Sequence, residues 1–156
     1  NSLLGGGCSS RLFQQVREER GLCYTVYSYV ADHADVGLLG IYTALGKEQE
    51  ELALDTLRGV VSELRDHGPT QEELDRVREG LLMSAESVQS RMSSMGASEL
   101  LYGQVRSQEE ILAAYDAVTR EQLRQLAEEI FQWDRASLSA VGRVRPAAEY
   151  GRWLGR

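Results

Sequence analysis

The sequence predicts an α+β fold in which helices pack on one face of an antiparallel or mixed sheet. Two runs rich in aromatic and β-branched residues, 22–30 and 38–45, are typical of strands. Apolar residues recur at helical spacing between residues 47 and 131, and a short alternating segment follows at 137–141. A hairpin that precedes several helices and a last strand favours this arrangement over a pure helical bundle.

The composition is that of a globular domain with a C-terminal tail. Of the 156 residues, 42% are apolar and 26% are charged, which suits one domain over residues 1–142 and a mobile tail over 143–156. The net charge of -7 argues against a nucleic-acid partner. The chain lacks the ~20 apolar residues that a membrane span needs. It also begins without signal-peptide features, which favours a cytoplasmic location.

The first segment predicts a glycine loop followed by a helix. Gly5, Gly6 and Gly7 give the loop wide backbone freedom. Leucine, phenylalanine and valine then recur at helical spacing, so we expect a helix over roughly 8–20 that ends at Gly21.

The second segment predicts an antiparallel hairpin with a polar turn over 31–37. Both faces of the first strand are largely apolar, so we expect this strand to be covered on both sides or to be central. By period two, one face carries Tyr24, Val26, Ser28 and Val30, and the other carries Cys23, Thr25, Tyr27 and Tyr29.

The third segment predicts several helices and one more strand. An apolar stripe of leucines and valines indicates a helix that His67 and Gly68 close. Three Ser/Thr-x-x-Glu/Gln capping boxes, which begin at Thr70, Ser107 and Thr119, then open three helices. The helix that begins after Thr70 is predicted to reach Val88. A bend is expected near Gly96 and a last strand over 137–141. Three strands are few for so many helices, which suggests further strands before residue 1 or a partner that completes the sheet.

Several kinds of catalytic site are disfavoured by the residues present. Only two histidines occur, His33 and His67, and no H-E-x-x-H or H-x-x-E-H motif is found, so no metal site is predicted within this chain. The run GGGCSS lacks the Lys-Ser/Thr ending of a phosphate-binding loop, which favours a loop that lets a helix pack closely. Two cysteines, Cys8 and Cys23, are too few to form a disulfide framework. Whether they form a single disulfide bond with each other is left open by the sequence.

Arg17 and Tyr24 are the most informative pair of polar residues. They lie on the two sides of the predicted turn at Gly21, so both side chains can reach one cleft. A guanidinium and a phenol are hydrogen-bond donors, and donors aimed at a carbonyl can hold a peptide or stabilise an oxyanion. A surface arginine–glutamate pair beside a core tyrosine is the alternative interpretation.

Residues 5–44 carry a family resemblance. They read GGGCSSRLFQQVREERGLCYTVYSYVADHADVGLLGIYTA, with a glycine run, then SSRLFQ, then REERGLCYTVYS. This stretch, together with GPTQEELDRVREGLLMS, ESVQSRM, ELLYGQ and AVTREQL, resembles the second domain of the mitochondrial-processing-peptidase-like branch of the pitrilysin/insulinase zinc peptidases. The resemblance covers about residues 3–142.

The resemblance implies a function for one half of a peptidase. In this family two similar domains enclose a chamber; the first holds zinc, and the second supplies an Arg and a Tyr that contact the substrate carbonyl. These correspond to Arg17 and Tyr24, and Gly5 to Gly7 would line the chamber. The chain would then be the substrate-binding half of a zinc metalloendopeptidase, inactive alone, with peptide substrates.

The resemblance also implies a partner. Zinc is expected in a complementary domain or subunit, and a homodimer or heterodimer is left open. Some bacterial relatives divide the two roles between two subunits. A non-catalytic structural subunit of the same fold is the alternative, and an H-x-x-E-H motif in the sequence upstream would favour the peptidase.

Overall fold

The computed structural model describes residues 1–33, 35–85 and 87–155. Within them the chain forms one π-helix, a two-stranded antiparallel sheet and six α-helices. The predicted α+β class is confirmed. In chain order the elements are the π-helix Phe13–Glu18, β1 Cys23–Asp32, β2 Gly37–Leu45, α1 Glu50–His67, α2 Gln71–Ala85, α3 Val88–Tyr102, α4 Gln108–Asp116, α5 Arg120–Ile130 and α6 Ala147–Trp153.

The hairpin of β1 and β2 has two different faces. The inner face carries Val26 and Ser28, which are buried, and Ile41, which packs against the core. The outer face carries Tyr27 and Tyr42, whose ring centroids lie 5.1 Å apart and which stay half exposed. The described residues therefore cover one face of the sheet and give β1 a single neighbouring strand, whereas the sequence predicted a strand that is covered on both sides or central. The turn is shorter than the expected 31–37, and Ala34 within it lies outside the described residues.

A β-bulge interrupts the ladder at the start of β1. Cys23 pairs with Leu45 and Thr25 pairs with Ala44, so Tyr24 is an additional residue without a partner in β2. The bulge breaks the strict alternation that the face prediction assumed. Cys23 consequently packs against the hydrophobic core, on the side opposite to the predicted one.

The core lies between the inner face of the hairpin, the π-helix and α1. Leu12 and Val16 are fully buried there, next to an apolar stripe of α1. Burying a leucine or valine side chain stabilises the fold by about 1.5–3 kcal/mol. This packing fixes the π-helix against β1, so residues at the end of one and the start of the other are held together. The stripe consists of Ala53, Leu57, Val60, Val61 and Leu64.

The three predicted capping boxes are confirmed. In the first, the Glu73 amide donates to Thr70 Oγ1 at 3.1 Å and the Thr70 amide donates to the Glu73 carboxylate at 2.7 Å. These bonds satisfy backbone donors that an α-helix leaves free at its N-terminus. The same reciprocal bonds join Ser107 with Glu110 and Thr119 with Gln122.

Three predictions for the third segment are wrong. Residues 137–141 form no strand, because an alternating segment needs a neighbouring strand, and β1 and β2 pair only with each other in the part of the chain described. The helix after Thr70 ends at Ala85, and Val88 begins a new helix that Ser87 caps; Glu86 lies outside the described residues. That new helix runs uninterrupted through the position where a bend was expected.

The C-terminal segment contains an ordered helix. The sequence predicted a mobile tail over 143–156, but α6 lies within it and buries Tyr150. The Tyr150 hydroxyl donates to Glu50 at 2.5 Å, and Arg145 forms an ion pair with the same carboxylate at 3.0 Å. The segment therefore returns to the beginning of α1. No helix in the described ranges has both the length and the apolar composition that crossing a bilayer requires.

Candidate functional site

The site lies where the chain passes from the π-helix into β1. Gly21 has a φ of +59°, a left-handed conformation that favours glycine, and its amide donates to the Arg17 carbonyl at 3.1 Å. The next amide, that of Leu22, donates to Val16 O at 3.0 Å. This tight reversal brings the last turn of the helix beside the first residues of the strand, as the sequence predicted.

Arg17 extends from the helix with its guanidinium against two aromatic rings. Its Cζ atom lies 4.5 Å from the centroid of Phe13 and 5.3 Å from the centroid of Tyr24. Both distances are within the ~6 Å reach of a cation–π contact. The arginine side chain is 32% exposed, and its ion pair with Glu18 is long, at 3.9 Å. Among the described residues its N–H groups donate no hydrogen bond, so they stay available to a ligand.

Tyr24 presents its phenol to solvent. The side chain is 83% exposed because the bulge releases this residue from the ladder. Its hydroxyl finds no hydrogen-bond partner in the described residues. Tyr24 is therefore no core tyrosine, and the structure brings the two predicted site residues into contact through ring and guanidinium.

The three glycines of the predicted loop have different environments. Gly5 is buried, and its carbonyl accepts from the Ser28 amide of β1 at 3.1 Å. A Cβ atom on Gly5 would collide with that amide and lie 2.8 Å from Ser28 Oγ. Close packing against the strand thus explains Gly5, whereas Gly6 and Gly7 are exposed and Gly7 has open space beside it.

The sequence comparisons decide the family. The profile of the family described as "Peptidase M16 inactive domain" matches residues 1–81, which is more than half of the chain. The chain belongs to this family. The resemblance that residues 5–44 predicted is thereby confirmed.

The relatives of this M16 inactive domain carry the description "uncharacterized zinc protease". One from Bacillus subtilis is 40% identical over 140 residues, which cover 87% of this chain and 34% of the relative. One from Streptomyces coelicolor is 37% identical over 149 residues, which cover 93% of this chain and 32% of the relative. The chain therefore spans about a third of the length of the curated relatives it matches.

A solved structure supports the same assignment. The crystal structure of a peptidase M16 inactive domain from Pseudomonas fluorescens matches with a TM-score of 0.76 and 29% identity, over 85% of this chain and 32% of that chain. The chain thus corresponds to the inactive, non-catalytic part of proteins described as zinc proteases.

The histidines, cysteines and carboxylates that the structure describes in this M16 inactive domain do not assemble into a metal site. No group of three or more His, Cys, Asp and Glu side chains converges within the described residues. His33 is exposed in the turn between the strands, and His67 is exposed in the last turn of α1. The two cysteines are free thiols, so the bridge between them that the sequence left open is not formed.

One polar cluster, formed just before the π-helix begins, was missed by the sequence analysis. Arg11 donates to both carboxylate oxygens of Glu73, at 2.6 and 2.8 Å, and to the Gly68 carbonyl at 3.1 Å. The Arg11 hydrogen bond, followed by the backbone bond from Thr70, holds the pKa of Glu73 below its usual range despite partial burial. This pair ties the beginning of the π-helix to the beginning of α2. Only the Glu73 capping position was visible in the sequence.

Proposed function

We propose that this chain is the substrate-binding, zinc-free half of a zinc metalloendopeptidase, with Arg17 and Tyr24 as its substrate contacts. The observation that supports the proposal is the contact between the Arg17 guanidinium and the Tyr24 ring at 5.3 Å, with both polar groups open to solvent. The zinc ion would belong to the complementary domain or subunit, because the described residues of this chain offer no ligand set.

The proposed chemistry follows from the two donors. When a peptide bond is hydrolysed, negative charge develops on the carbonyl oxygen, and donors already aimed at that position stabilise it. Arg17 would hold substrate carbonyls through its planar set of N–H donors, and Tyr24 would donate its hydroxyl to the reacting carbonyl. Gly6 and Gly7, which are exposed, would line the chamber. Gly5, which is buried, would let this loop pack closely against β1 at the chamber wall.

The test uses the full-length protein with its zinc-bearing domain or subunit. Arg17→Ala and Tyr24→Phe are each expected to lower kcat/KM for a quenched fluorogenic peptide by about 100-fold, the scale of a lost oxyanion donor. Zinc content, measured by atomic absorption, is expected to stay at the wild-type level.

Matched controls come from the same segment. Arg20 lies in the same turn and donates to Thr56 Oγ1 at 3.3 Å, so Arg20→Ala removes an equal charge without touching the proposed site. Tyr27→Phe removes a phenol from the same strand. If the site variants cleave as fast as these controls, the alternative of a structural subunit is favoured instead.

A further inference from the structure

Phe13 is an aromatic neighbour of the Arg17 guanidinium that the proposed function leaves without a role. The Phe13 ring centroid lies 4.5 Å from Arg17 Cζ, closer than the Tyr24 ring at 5.3 Å. Phe13 is partly exposed, unlike its buried neighbour Leu12. Its ring contacts the guanidinium, and within the described residues Phe13 is not one of the partly buried apolar side chains that pack against the hydrophobic core.

The π-helix brings the two residues together. The Glu19 amide donates to the Gln14 carbonyl at 2.9 Å, which is the i→i+5 bond of a π-helical turn. Residues four apart lie on the same side of a helix, so Phe13 and Arg17 face one another across one turn. Single π-helical turns occur frequently at functional sites.

An aromatic ring has one advantage over a carboxylate as a partner for this arginine. A carboxylate that held the guanidinium would occupy two of its five N–H donors. A ring attracts the cation through its π face and occupies none of them. The long 3.9 Å contact with Glu18 is too weak to fix the head group. Within the described residues, the contacts that restrain the guanidinium are thus chiefly those with the rings of Phe13 and Tyr24.

We infer that Phe13 is a positioning residue: its ring holds the Arg17 guanidinium in place while leaving the N–H donors free for a substrate carbonyl. This inference rests on the proposed function of Arg17. It predicts that the aromatic character of residue 13 matters for activity beyond its apolar volume.

The experiment compares variants of the full-length protein on one quenched fluorogenic peptide that the wild type cleaves. Phe13→Leu keeps an apolar side chain and removes the ring, and Phe13→Tyr restores a ring. From the size of exposed to partly desolvated cation–π contacts, we expect Phe13→Leu to lower kcat/KM about three- to tenfold and Phe13→Tyr to recover it. Phe131→Leu is the matched control, because Phe131 is likewise a partly buried phenylalanine but contacts no arginine guanidinium in the described residues.

A double-mutant cycle shows whether the effect passes through Arg17. In the Arg17→Ala background, Phe13→Leu is expected to have no further effect. An equal loss in both backgrounds, or a loss that Phe131→Leu reproduces, would mean that Phe13 acts through general packing, and either result overturns the inference.

The two proposals fail in different ways. If Arg17→Ala lowers activity and Phe13→Leu does not, the inference is wrong and the proposed function stands. If Arg17→Ala leaves activity unchanged, the proposed function itself is wrong and the inference falls with it.

Discussion

Replacing Glu73 should loosen the connection between the π-helix and α2. Its carboxylate has two tasks: it accepts from the Thr70 amide at 2.7 Å in the capping box and from Arg11 Nε and Nη2 at 2.6 and 2.8 Å. Glu73→Ala removes both and leaves the Arg11 charge without its carboxylate. Glu73→Gln keeps one acceptor oxygen for the Thr70 amide and nearly the same side-chain volume, but it removes the charge and replaces the other acceptor oxygen with an amide donor that faces Arg11.

The burial of the pair sets the magnitude. The Arg11 side chain is 9% exposed and that of Glu73 is 16% exposed. Breaking a buried ion pair by removing one partner costs about 3–5 kcal/mol. Arg11 Nη1 already has no partner among the described residues, so we expect the lower end, about 3 kcal/mol, for Glu73→Ala. Glu73→Gln should cost about 1.5–3 kcal/mol, the value of hydrogen bonds to charged groups.

Hydrogen exchange of the full-length protein measures this loss locally. A cost of about 3 kcal/mol corresponds to roughly 100-fold faster exchange of amides in the first turns of α2. Glu110→Ala is the matched control, because Glu110 occupies the same position of a capping box but forms no ion pair in the described part of the chain. It should speed exchange in α4 by a smaller factor, because it removes one exposed capping bond and no ion pair. Equal effects of the two alanine substitutions would refute the reasoning.

The same pair predicts a pH dependence. Arg11 lowers the pKa of Glu73 in the folded state. The stability that the Arg11–Glu73 pair contributes is therefore fully present above the unfolded-state pKa of Glu73, about 4.3, and is lost as pH falls through the lower folded-state pKa. The exchange rates of wild type and Glu73→Gln should therefore differ at neutral pH and converge in acid.

Two further predictions concern packing. Gly5→Ala should destabilise the protein by about 1–3 kcal/mol, because the new Cβ atom collides with Ser28. Gly7→Ala places its Cβ atom in open space and should be neutral or stabilise the protein by about 0.4–1 kcal/mol. Urea unfolding midpoints compare the two variants, and equal midpoints would contradict the packing argument. Tyr150→Phe removes the hydroxyl that donates to Glu50, at a cost of about 1.5–3 kcal/mol, and should speed amide exchange in α6; unchanged exchange would show that this bond does not hold the helix.

Features set by neighbouring residues could be predicted from the sequence. The capping boxes at Thr70, Ser107 and Thr119 depend on residues three apart, and all three form. The reversal at Gly21 is equally local, so the approach of Arg17 to the following strand followed from the sequence.

Features set by distant residues could not be predicted. The Arg11–Glu73 pair joins residues 62 positions apart, and no local pattern marks Arg11 as its partner. The helix that contains Tyr150 is short, and its contact with Glu50 spans 100 positions. The expected strand at 137–141 failed for the same reason, because a strand is defined by its neighbour as much as by its own residues.

The bulge in β1 makes one residue dispensable to the sheet. All ladder pairs from Cys23 to Asp32 form without Tyr24, which adds length to the strand but no pairing. Loss of that single position would restore a regular ladder and leave the tyrosines of the outer face in register. A lineage could thus discard the phenol, and with it any role in cleavage, by a one-codon deletion that costs the domain no backbone pairing.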